Sequence, residues 1–496
     1  MLSSIVFLPL VAAAVLAAVP AIGARTARWS WVVIGSLEMV LIAVLWARFE
    51  APGPNELAFE EQVAWIPGVG ASYHVGVDGL SLALLAMTAL VFLACAIYAL
   101  RDDDRARAQT ALMLFLQGVS LGVFVAADLI LFFVFFDLSI VGMYFVIAGW
   151  GHGHATRSAM KFFLYTFLGS LVLLLGFIGL YVASEPHTFD ILELVAATPL
   201  EGTGALGILV LAAILVGLAI KTPTVPFHTW LPSAHTDAPA IGSAVLAAVL
   251  LKMGTYGFVR IAMPMLPDAW QSLAWVLVVV GVVSVLYGAL VALAQTNLKR
   301  MIAYTSVNHM GYIVMALGTA GLITADTAEA GSIAVTGAVV QMVSHGLITA
   351  ALFLLTGVMN DRRGTYEISS FGGLAAPAPR YAALFAIAAF ASLGLPGFSG
   401  FIAEFQIFAG SIAVTPIAAI ALVGILITAA LLLRAFQRIY TGPTENSSRG
   451  FTDLHARETW PIAALLALSV LIGVVPQVLL GIIEPASAAL IELVRR

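Results

Sequence analysis

Residues 204–262 are GALGILVLAAILVGLAIKTPTVPFHTWLPSAHTDAPAIGSAVLAAVLLKMGTYGFVRIA, two apolar stretches on either side of a proline-rich centre. The first stretch ends at Lys221, the centre contains Pro223 and Pro226, and Lys252 lies well inside the second stretch. Each stretch is close to the roughly 20 residues that a helix needs to cross the hydrocarbon core of a membrane. Proline removes a backbone donor and interrupts a helix. The segment therefore predicts membrane-spanning helices, one of them broken, with two lysines far from water.

The composition of the whole chain supports a membrane location. Of its 496 residues, 61% are hydrophobic and 10% are charged, whereas soluble proteins carry about 25% charged residues. The net charge of −5 is too small to indicate an electrostatic partner such as a nucleic acid. The single cysteine, Cys95, excludes disulfides and cysteine-ligated iron–sulfur clusters within the chain. A soluble enzyme and a nucleic-acid-binding protein are thus excluded, and the lipid bilayer is the expected environment.

Apolar runs along the chain predict an all-α polytopic membrane protein with about fourteen transmembrane helices. These predicted helices, numbered 1 to 14, span residues 3–22, 30–47, 79–100, 108–127, 129–150, 159–183, 204–235, 238–262, 269–295, 301–321, 332–357, 380–411, 413–438 and 460–482. The longer connectors are expected to carry surface helices such as Phe189–Val195. No connector is long enough for a separate soluble domain.

The basic residues predict the orientation of the chain, because cytoplasmic loops of membrane proteins are enriched in lysine and arginine. Connectors that follow odd-numbered helices carry fifteen basic residues: Arg25, Arg28, Arg101, Arg105, Arg107, Arg157, Lys161, Lys299, Arg300, Arg362, Arg363, Arg380, Arg438, Arg449 and Arg457. Even-numbered connectors and the termini carry four: Arg48, Arg260, Arg495 and Arg496. The odd connectors are therefore expected in the cytoplasm and both termini on the outer side.

Two of the predicted helices are broken. Helix 7 contains the prolines described above, and helix 12 contains the sequence Gly-Leu-Pro-Gly at residues 394–397. Because the breaks are five helices apart, they indicate two inverted five-helix repeats, helices 4–8 and 9–13, as in many ion-coupled transporters. A pair of packing kinks is the alternative. The expected divisions are residues 1–107 for helices 1–3, 108–262 and 263–438 for the repeats, and 439–496 for helix 14 and the C-terminal segment.

The chain has only four lysines, against eighteen arginines. Lys161 and Lys299 lie at predicted helix ends, where their stems can reach water. Lys221 and Lys252 lie centrally, where a charged lysine costs at least ~2.5 kcal/mol. Arginine cannot release a proton in a protein, whereas a desolvated lysine can. The two central lysines therefore predict proton exchange, and a buried ion pair that only fixes helix packing is the structural alternative.

Two acidic residues are candidate partners of these lysines. Asp137 lies in predicted helix 5 and is the natural counter-charge for Lys221 or Lys252. Lys221 also ends a half-helix, whose carbonyl terminus favours a cation. Glu404 follows the break in helix 12 and has no basic residue nearby in sequence. Glu404 is therefore expected to carry a proton or to face water.

Three histidines are candidate relay residues, because histidine exchanges protons near neutral pH. His309 in helix 10 and His345 in helix 11 have several polar neighbours in otherwise apolar helices, namely Thr305, Ser306, Asn308, Gln341 and Ser344. This polar seam favours a relay, more for His345 than for His309. His228 lies beside the prolines of helix 7, where it lines a cavity mouth or simply caps a helix end.

Four segments resemble the antiporter-like membrane subunits of proton-pumping NADH:quinone oxidoreductase, respiratory complex I. They are Lys221–Gly257 (KTPTVPFHTWLPSAHTDAPAIGSAVLAAVLLKMGTYG), Leu298–Tyr312 (LKRMIAYTSVNHMGY), Gln341–Phe353 (QMVSHGLITAALF) and Leu393–Phe405 (LGLPGFSGFIAEF). The resemblance covers about residues 75–440, with the motifs in the family's order. Within the family, the chain differs from subunit L, whose long lateral-helix extension it lacks, and from subunit N, which typically has lysine at the position of Glu404.

The resemblance implies roles for five residues. Asp137 occupies the position of the helix-5 glutamate, Lys221 that of the helix-7 lysine and Lys252 that of the helix-8 lysine. His345 and Glu404 match the family's helix-11 histidine and helix-12 glutamate. The departure is Asp137, which is one methylene shorter than glutamate. A bridging water or a shifted helix is therefore expected to connect Asp137 with Lys221.

The resemblance also implies the function. Protons are expected to pass along the buried relay, driven by redox chemistry in other subunits that hold the flavin and iron–sulfur clusters. No cofactor or metal is expected in this chain. The antiporter-like subunits L and N are the expected neighbours, and the bacterial inner membrane is the expected location. A subunit of a multisubunit sodium/proton antiporter and a membrane scaffold with charges of no function are the alternatives.

Overall fold

The computed structural model describes residues 1–100, 104–202, 204–444, 448 and 450–495. Arg101, Arg449 and Arg496, which were counted above for orientation, lie outside the described residues. Within them, eleven helices are long and apolar enough to cross a membrane. Three shorter apolar helices, Leu2–Ala18, Ala205–Lys221 and Ser399–Val414, accompany them. The all-α polytopic membrane fold is confirmed.

Helices α1 to α6 cover the first third of the chain: α1 Leu2–Ala18, α2 Ala24–Ala47, α3 Gly79–Ala99, α4 Ala106–Val125, α5 Leu129–Trp150 and α6 Ala155–Ala183. Two strands, β1 Ala58–Ile66 and β2 Ala71–Val77, form an antiparallel hairpin between α2 and α3. The short helix α7, Ile191–Ala197, overlaps the predicted surface helix.

The predicted helices 7 and 8 are each built from several pieces. Helix 7 consists of α8 Ala205–Lys221 and α9 Leu231–Asp237. Helix 8 consists of α10 Ala240–Val245, α11 Leu251–Gly257 and α12 Met263–Met265, joined by π-helical turns at Leu246–Leu250 and Phe258–Ala262. π-helical turns within α-helices are frequent at functional sites.

The remaining helices are α13 Pro267–Leu293, α14 Leu298–Thr319, α15 Ala328–Arg363, α16 Pro379–Ser392, α17 Ser399–Val414, α18 Leu422–Tyr440, α19 Ala456–Val474 and α20 Gln477–Val494. The break in predicted helix 12 separates α16 from α17. Gly394 and Gly397 in this break have φ angles of +70° and +99°, which L side chains rarely adopt. Both predicted breaks are therefore confirmed.

Two backbone bridges show the inverted relation of the repeats. Residues 127–129, at the start of α5, pair with residues 189–191 through hydrogen bonds of 2.8 and 2.9 Å. Residues 296–298, at the start of α14, pair with residues 366–368 through hydrogen bonds of the same lengths. The first bridge lies beside the hairpin, and the second lies at the opposite end of the bundle. The ends of the bundle are called the hairpin face and the opposite face below.

Two elements on the hairpin face differ from the prediction. The connector 48–77 forms the hairpin, because Val75 and Val77 are buried against the helix ends. Predicted helix 14 ends at Val474 instead of residue 482, because Pro476 cannot continue it. The chain turns there into α20.

Helix α20, which is one of those eleven helices by length and composition, lies across the starts of α3 and α13 on the hairpin face. Its Ile482 carbonyl packs on Gly79 at the start of α3, where a Cβ atom would collide with it. Gln271, near the start of α13, donates to the Val494 carbonyl at 2.8 Å. The amino group of Met1 contacts Glu61 in β1, so the two ends of the described chain share this face.

Candidate functional site

Lys221 is the last residue of α8 and is buried. Its Nζ atom donates to Ser139 Oγ on α5 at 3.0 Å and lies 4.7 Å from the centre of the Phe136 ring. The carbonyl end of α8 and the aromatic face both favour a cation. Because Pro223 and Pro226 prevent the helix from continuing, the break itself places Lys221 at a helix C-terminus.

Asp137 lies near Lys221 without touching it. Its Oδ1 atom is buried with no hydrogen-bond partner. No direct ion pair between Asp137 and Lys221 occurs among the described residues, and Ser139 occupies the Nζ atom of the lysine instead. The sequence did not point to Ser139, although a hydroxyl two residues after Asp137 in a phenylalanine-rich run was the available signal. The lack of direct contact between the two side chains agrees with the shorter stem of aspartate, which has one methylene fewer than glutamate.

Lys252 lies deep in the bundle on α11 and has no carboxylate beside it. Its Nζ atom donates to the Ala247 carbonyl at 2.7 Å and lies 2.5 Å from His345 Nδ1. Ala247 belongs to the π-helical turn Leu246–Leu250, so the local widening of the helix leaves this carbonyl available to the lysine. When the ammonium donates to Nδ1, a neutral His345 carries its proton on Nε2.

The Nε2 atom of His345 lies 3.1 Å from Ser306 Oγ on α14. The ring of His309 lies next to that of His345, with centroids 5.2 Å apart. His309 Nδ1 is 2.9 Å from Gln341 Nε2 and 3.8 Å from Glu404 Oε1. His309 therefore stands between His345 and Glu404, although the sequence favoured His345 as the relay.

Four neighbouring side chains follow one another in space: Lys252, His345, His309 and Glu404. We call this series of side chains the Lys252–Glu404 chain. Their exposed fractions are 0, 2, 4 and 6%. Ionisable groups that are buried at membrane depth are costly and mark ion pathways. The four groups lie on four different helices, α11, α15, α14 and α17. Only the packing of these helices brings the groups together.

Glu404 packs against the break between α16 and α17. A Cβ atom at Gly394 would collide with Glu404 Oε2, so only glycine leaves room for the carboxyl. Beside it lies a small cavity of about 10 Å³, which is room for about one water molecule. The cavity is lined by His309, Gln341, Ser344, His345, Ile348, Thr349, Ala391, Ser392, Gly400 and Glu404. Polar groups on several sides make this cavity suitable for water.

Lys221 and the Lys252–Glu404 chain approach each other without joining. Gly254 on α11 packs directly on Thr222, where a Cβ atom would collide with the hydroxyl. The Thr222 hydroxyl is buried without a partner. Between Lys221 and Lys252 the described residues provide no continuous hydrogen-bonded path. A proton crossing here needs water or a movement of the break.

His228, within the helix-7 break, and His235, on α9 after the break, lie outside this network. The ring centroid of His228 lies 4.9 Å from that of Tyr287, and its Nδ1 atom has no partner. His235 stacks on Phe353, and neither of its ring nitrogens has a partner. No three His, Cys, Asp or Glu side chains among the described residues are grouped so that they could hold a metal ion.

The prediction that Lys299 reaches water is wrong. Lys299 is fully buried, donates to the Ala238 carbonyl and lies 5.1 Å from the centre of the Tyr366 ring. The loop between α9 and α10 folds over it, which its position near a helix end could not reveal. Lys161 is exposed as predicted and donates to the Thr229 carbonyl at 2.5 Å.

Comparisons with known proteins agree with this geometry. Residues 126–429 match the family "NADH:quinone oxidoreductase/Mrp antiporter, TM". The chain is 38% identical to NADH-quinone oxidoreductase subunit M of Rhodobacter capsulatus, an alignment that covers 99% of this chain and 96% of the relative. A chain of respiratory complex I from Thermus thermophilus superposes with a TM-score of 0.89 at 31% identity, over 100% of both chains.

A chain of the Mrp complex from Dietzia sp. has the same fold, with a TM-score of 0.85 at 23% identity over 99% of this chain and 98% of that one. The identity to subunit M is higher and extends over nearly the whole chain. The chain therefore belongs to the antiporter-like membrane subunits of the NADH:quinone oxidoreductase/Mrp antiporter family, and within it to subunit M of NADH-quinone oxidoreductase.

Proposed function

We propose that this chain is a proton-translocating subunit of the membrane arm of NADH:quinone oxidoreductase. The redox chemistry takes place in partner subunits, which hold the flavin and iron–sulfur clusters, and this chain supplies the proton path. The single observation that carries the proposal is the Lys252–Glu404 chain, four ionisable groups in sequence at membrane depth. A scaffold would have no need of such costly groups.

In the proposed mechanism a proton enters from the opposite face and is held at Lys221. The nearby carboxylate of Asp137 and the carbonyl end of α8 stabilise the charged lysine there. When Asp137 moves away, as in the separated arrangement of this structure, the charge on Lys221 becomes unfavourable. The proton then leaves for Lys252, across the contact between Gly254 and Thr222.

From Lys252 the proton moves to His345 Nδ1, and the imidazole releases its Nε2 proton towards Ser306 and His309. His309 passes it to Glu404, from which it leaves for the outer side. Moving one charge against 100 mV requires about 2.3 kcal/mol. Loss of a charged partner from a buried pair costs about 3–5 kcal/mol. The movement of Asp137 is therefore sufficient to drive one proton.

The orientation and setting are part of the proposal. The excess of basic residues assigns the opposite face to the bacterial cytoplasm and the hairpin face, with both termini, to the outer side. Residues 108–262 and 263–438 act as the uptake and release repeats. The antiporter-like subunits L and N are the proposed neighbours in the membrane arm.

The test uses the complete complex in proteoliposomes, with NADH-driven quinone reduction and internal acidification measured together. Lys252→Met and Glu404→Gln are each expected to abolish the pumping through this subunit, because each removes one proton-accepting group of the chain. Ser411→Ala is the control, since Ser411 is equally buried on α17 and its hydroxyl bonds to that of Thr319. Normal pumping by an assembled Lys252→Met complex would refute the proposal.

A further inference from the structure

Three serines form a second hydrogen-bonded series beside the Glu404 cavity. Ser344 Oγ on α15 lies 2.8 Å from Ser399 Oγ at the start of α17, and Ser399 Oγ lies 2.7 Å from Ser469 Oγ on α19. All three side chains are buried. The Lys252–Glu404 chain does not use them, and α19 lies outside the two inverted repeats.

The hydrogen count of this series leaves one proton free. Three hydroxyls supply three donors, but only two oxygen–oxygen contacts join them. In one arrangement all three O–H bonds point towards Ser469, and the spare donor lies at that end. In the reversed arrangement the spare donor lies at Ser344. A series with two equivalent directions can accept a proton at one end and release another at the other end.

The two ends of the serine series lie where protons would enter it and leave it. Ser344 lines the same cavity as His309, His345 and Glu404. Ser469 is five residues from the end of α19 at Val474, about 7.5 Å at the 1.5 Å rise of an α-helix. That end is the junction with α20 on the hairpin face. The series thus leads from the cavity towards the proposed outer side.

Close backbone packing keeps the series together. Gly473 on α19 lies against Gly397 in the break between α16 and α17, and a Cβ atom at 473 would collide with the Gly397 carbonyl group. This contact lies one turn of α19 beyond Ser469. Without it, α19 could not approach the break closely enough for two serine hydroxyls to bond.

We propose that Ser344, Ser399 and Ser469 form a hydroxyl wire that carries protons from the Glu404 cavity to the outer side along α19. The inference rests on the proposed function and extends it to the release step. A proton from a cavity water binds Ser344 Oγ, each hydroxyl passes its own proton to the next oxygen, and Ser469 releases one to a water that lies between it and the α19–α20 junction. Rotation of the three O–H bonds then restores the starting direction.

The experiment compares alanine variants in the complete complex in proteoliposomes. Ser399→Ala and Ser469→Ala are expected to lower proton translocation through this subunit by at least about tenfold, a modest part of what a positioned proton-transfer group supplies. Ser469→Thr keeps a hydroxyl at the same position and is expected to retain most of the translocation. Ser411→Ala, the matched buried serine on α17, is expected to behave as the unaltered complex.

A second readout separates a wire from a packing contact. Proton translocation through the Ser469→Thr complex is expected to slow in deuterated buffer by the same factor as the unaltered complex, whereas Ser469→Ala loses that isotope effect on its residual rate. If Ser399→Ala does not assemble, Ser344→Ala and Ser469→Ala answer the same question from the two ends. Unchanged translocation by both alanine variants overturns the wire, while Lys252→Met tests the proposed function separately.

Discussion

The two repeats share a plan but differ in the polar groups at their breaks. In the first repeat, the break follows a cation, Lys221, which is held by the hydroxyl of Ser139, while Asp137 stands apart with an unpartnered oxygen. In the second repeat, the break carries an acid, Glu404, which is connected through His309 to His345. One repeat holds separated charges and the other holds a nearly continuous series.

In the proposed mechanism, this difference lets one fold serve two steps of proton transfer. A helix C-terminus favours a cation, so the end of α8 suits the holding of a proton on Lys221. A glycine-rich turn leaves space for a carboxyl group, so the break before α17 suits a proton acceptor on the way out. The separated charges of the first repeat provide a place where movement can control transfer, whereas the second repeat requires little movement.

The largest expected effect comes from breaking the series in the second repeat. His309→Leu removes the group between His345 and Glu404 and is expected to abolish proton translocation through this subunit while the complex assembles. His228→Leu is the matched control, because this buried histidine contacts Tyr287 and no member of the series. Proteoliposome acidification checks both. Equal losses in the two variants would contradict the separate role of His309.

The next effect concerns the separated charges of the first repeat. Asp137→Asn removes the charge that stabilises protonated Lys221 and is expected to reduce translocation at least about tenfold, equivalent to the 1.4 kcal/mol or more that one buried charge partner provides. Asp137→Glu keeps the charge on a longer stem and is expected to be nearly silent. The initial rate of acidification per NADH oxidised measures both. Unchanged translocation by the Asp137→Asn variant would show that the first repeat is not part of the proton path.

A smaller effect is expected at the break of the second repeat. Gly394→Ala places a Cβ atom against Glu404 at a φ of +70°, so the carboxyl must leave its present position 3.8 Å from His309. Gly364→Ala has a similar φ of +66° with open space around it and therefore isolates the backbone strain of about 1–2 kcal/mol. Translocation is expected to fall in the first variant only. Equal behaviour of the two would show that the position of Glu404 is unimportant.

The smallest expected effect is a difference in pH dependence between the two backbone bridges, residues 127–129 with 189–191 and residues 296–298 with 366–368. At the hairpin face, His74 Nδ1 lies 2.5 Å from Asp190 Oδ2, and its Nε2 atom lies 2.8 Å from Glu60 Oε1. Burial lowers the pKa of His74, but the hydrogen bonds and charges of Asp190 and Glu60 outweigh it, so the pKa is raised above the ordinary 6.5. The matching position of the other bridge joins Asn297 to Glu367, which involves no histidine.

A raised pKa means that the stabilisation is complete below pH 6.5 and is lost as the pH rises through the pKa of the folded state. Amide hydrogen exchange at Ile191, in the first bridge, is therefore expected to gain speed relative to Ile368, in the second, over that range. The ratio of the two rates removes the intrinsic pH dependence of exchange. A constant ratio would show that His74 does not hold the hairpin face together.

Much of this architecture followed from the sequence because its signals are local. Apolar runs gave the helices, prolines and glycines gave both breaks, and the rarity of lysine singled out Lys221 and Lys252. The hairpin was missed because it is one isolated pair of short strands between helices, whose burial depends on the helix ends beneath it. The turn at Pro476 was missed because the apolar pattern continues past it into α20.

The contacts within the site could not be predicted in the same way. His309 and Glu404 are distant in sequence, and only the packing of α14 against α17 brings them together. The burial of Lys299 likewise depends on a loop that folds back from α9. Residue type and depth in a helix therefore identified the candidates, but their order along the proposed path needed the three-dimensional arrangement.

Infrared difference spectroscopy of the complex during NADH oxidation tests the path most directly. The Glu404 carboxyl absorbs differently when it carries a proton, and Glu404→Gln identifies its band. If protons reach Glu404 through Lys252, His345 and His309, the band changes on energisation in the unaltered complex and stays constant in Lys252→Met. A band that changes equally in both, or in neither, would contradict transfer along this series.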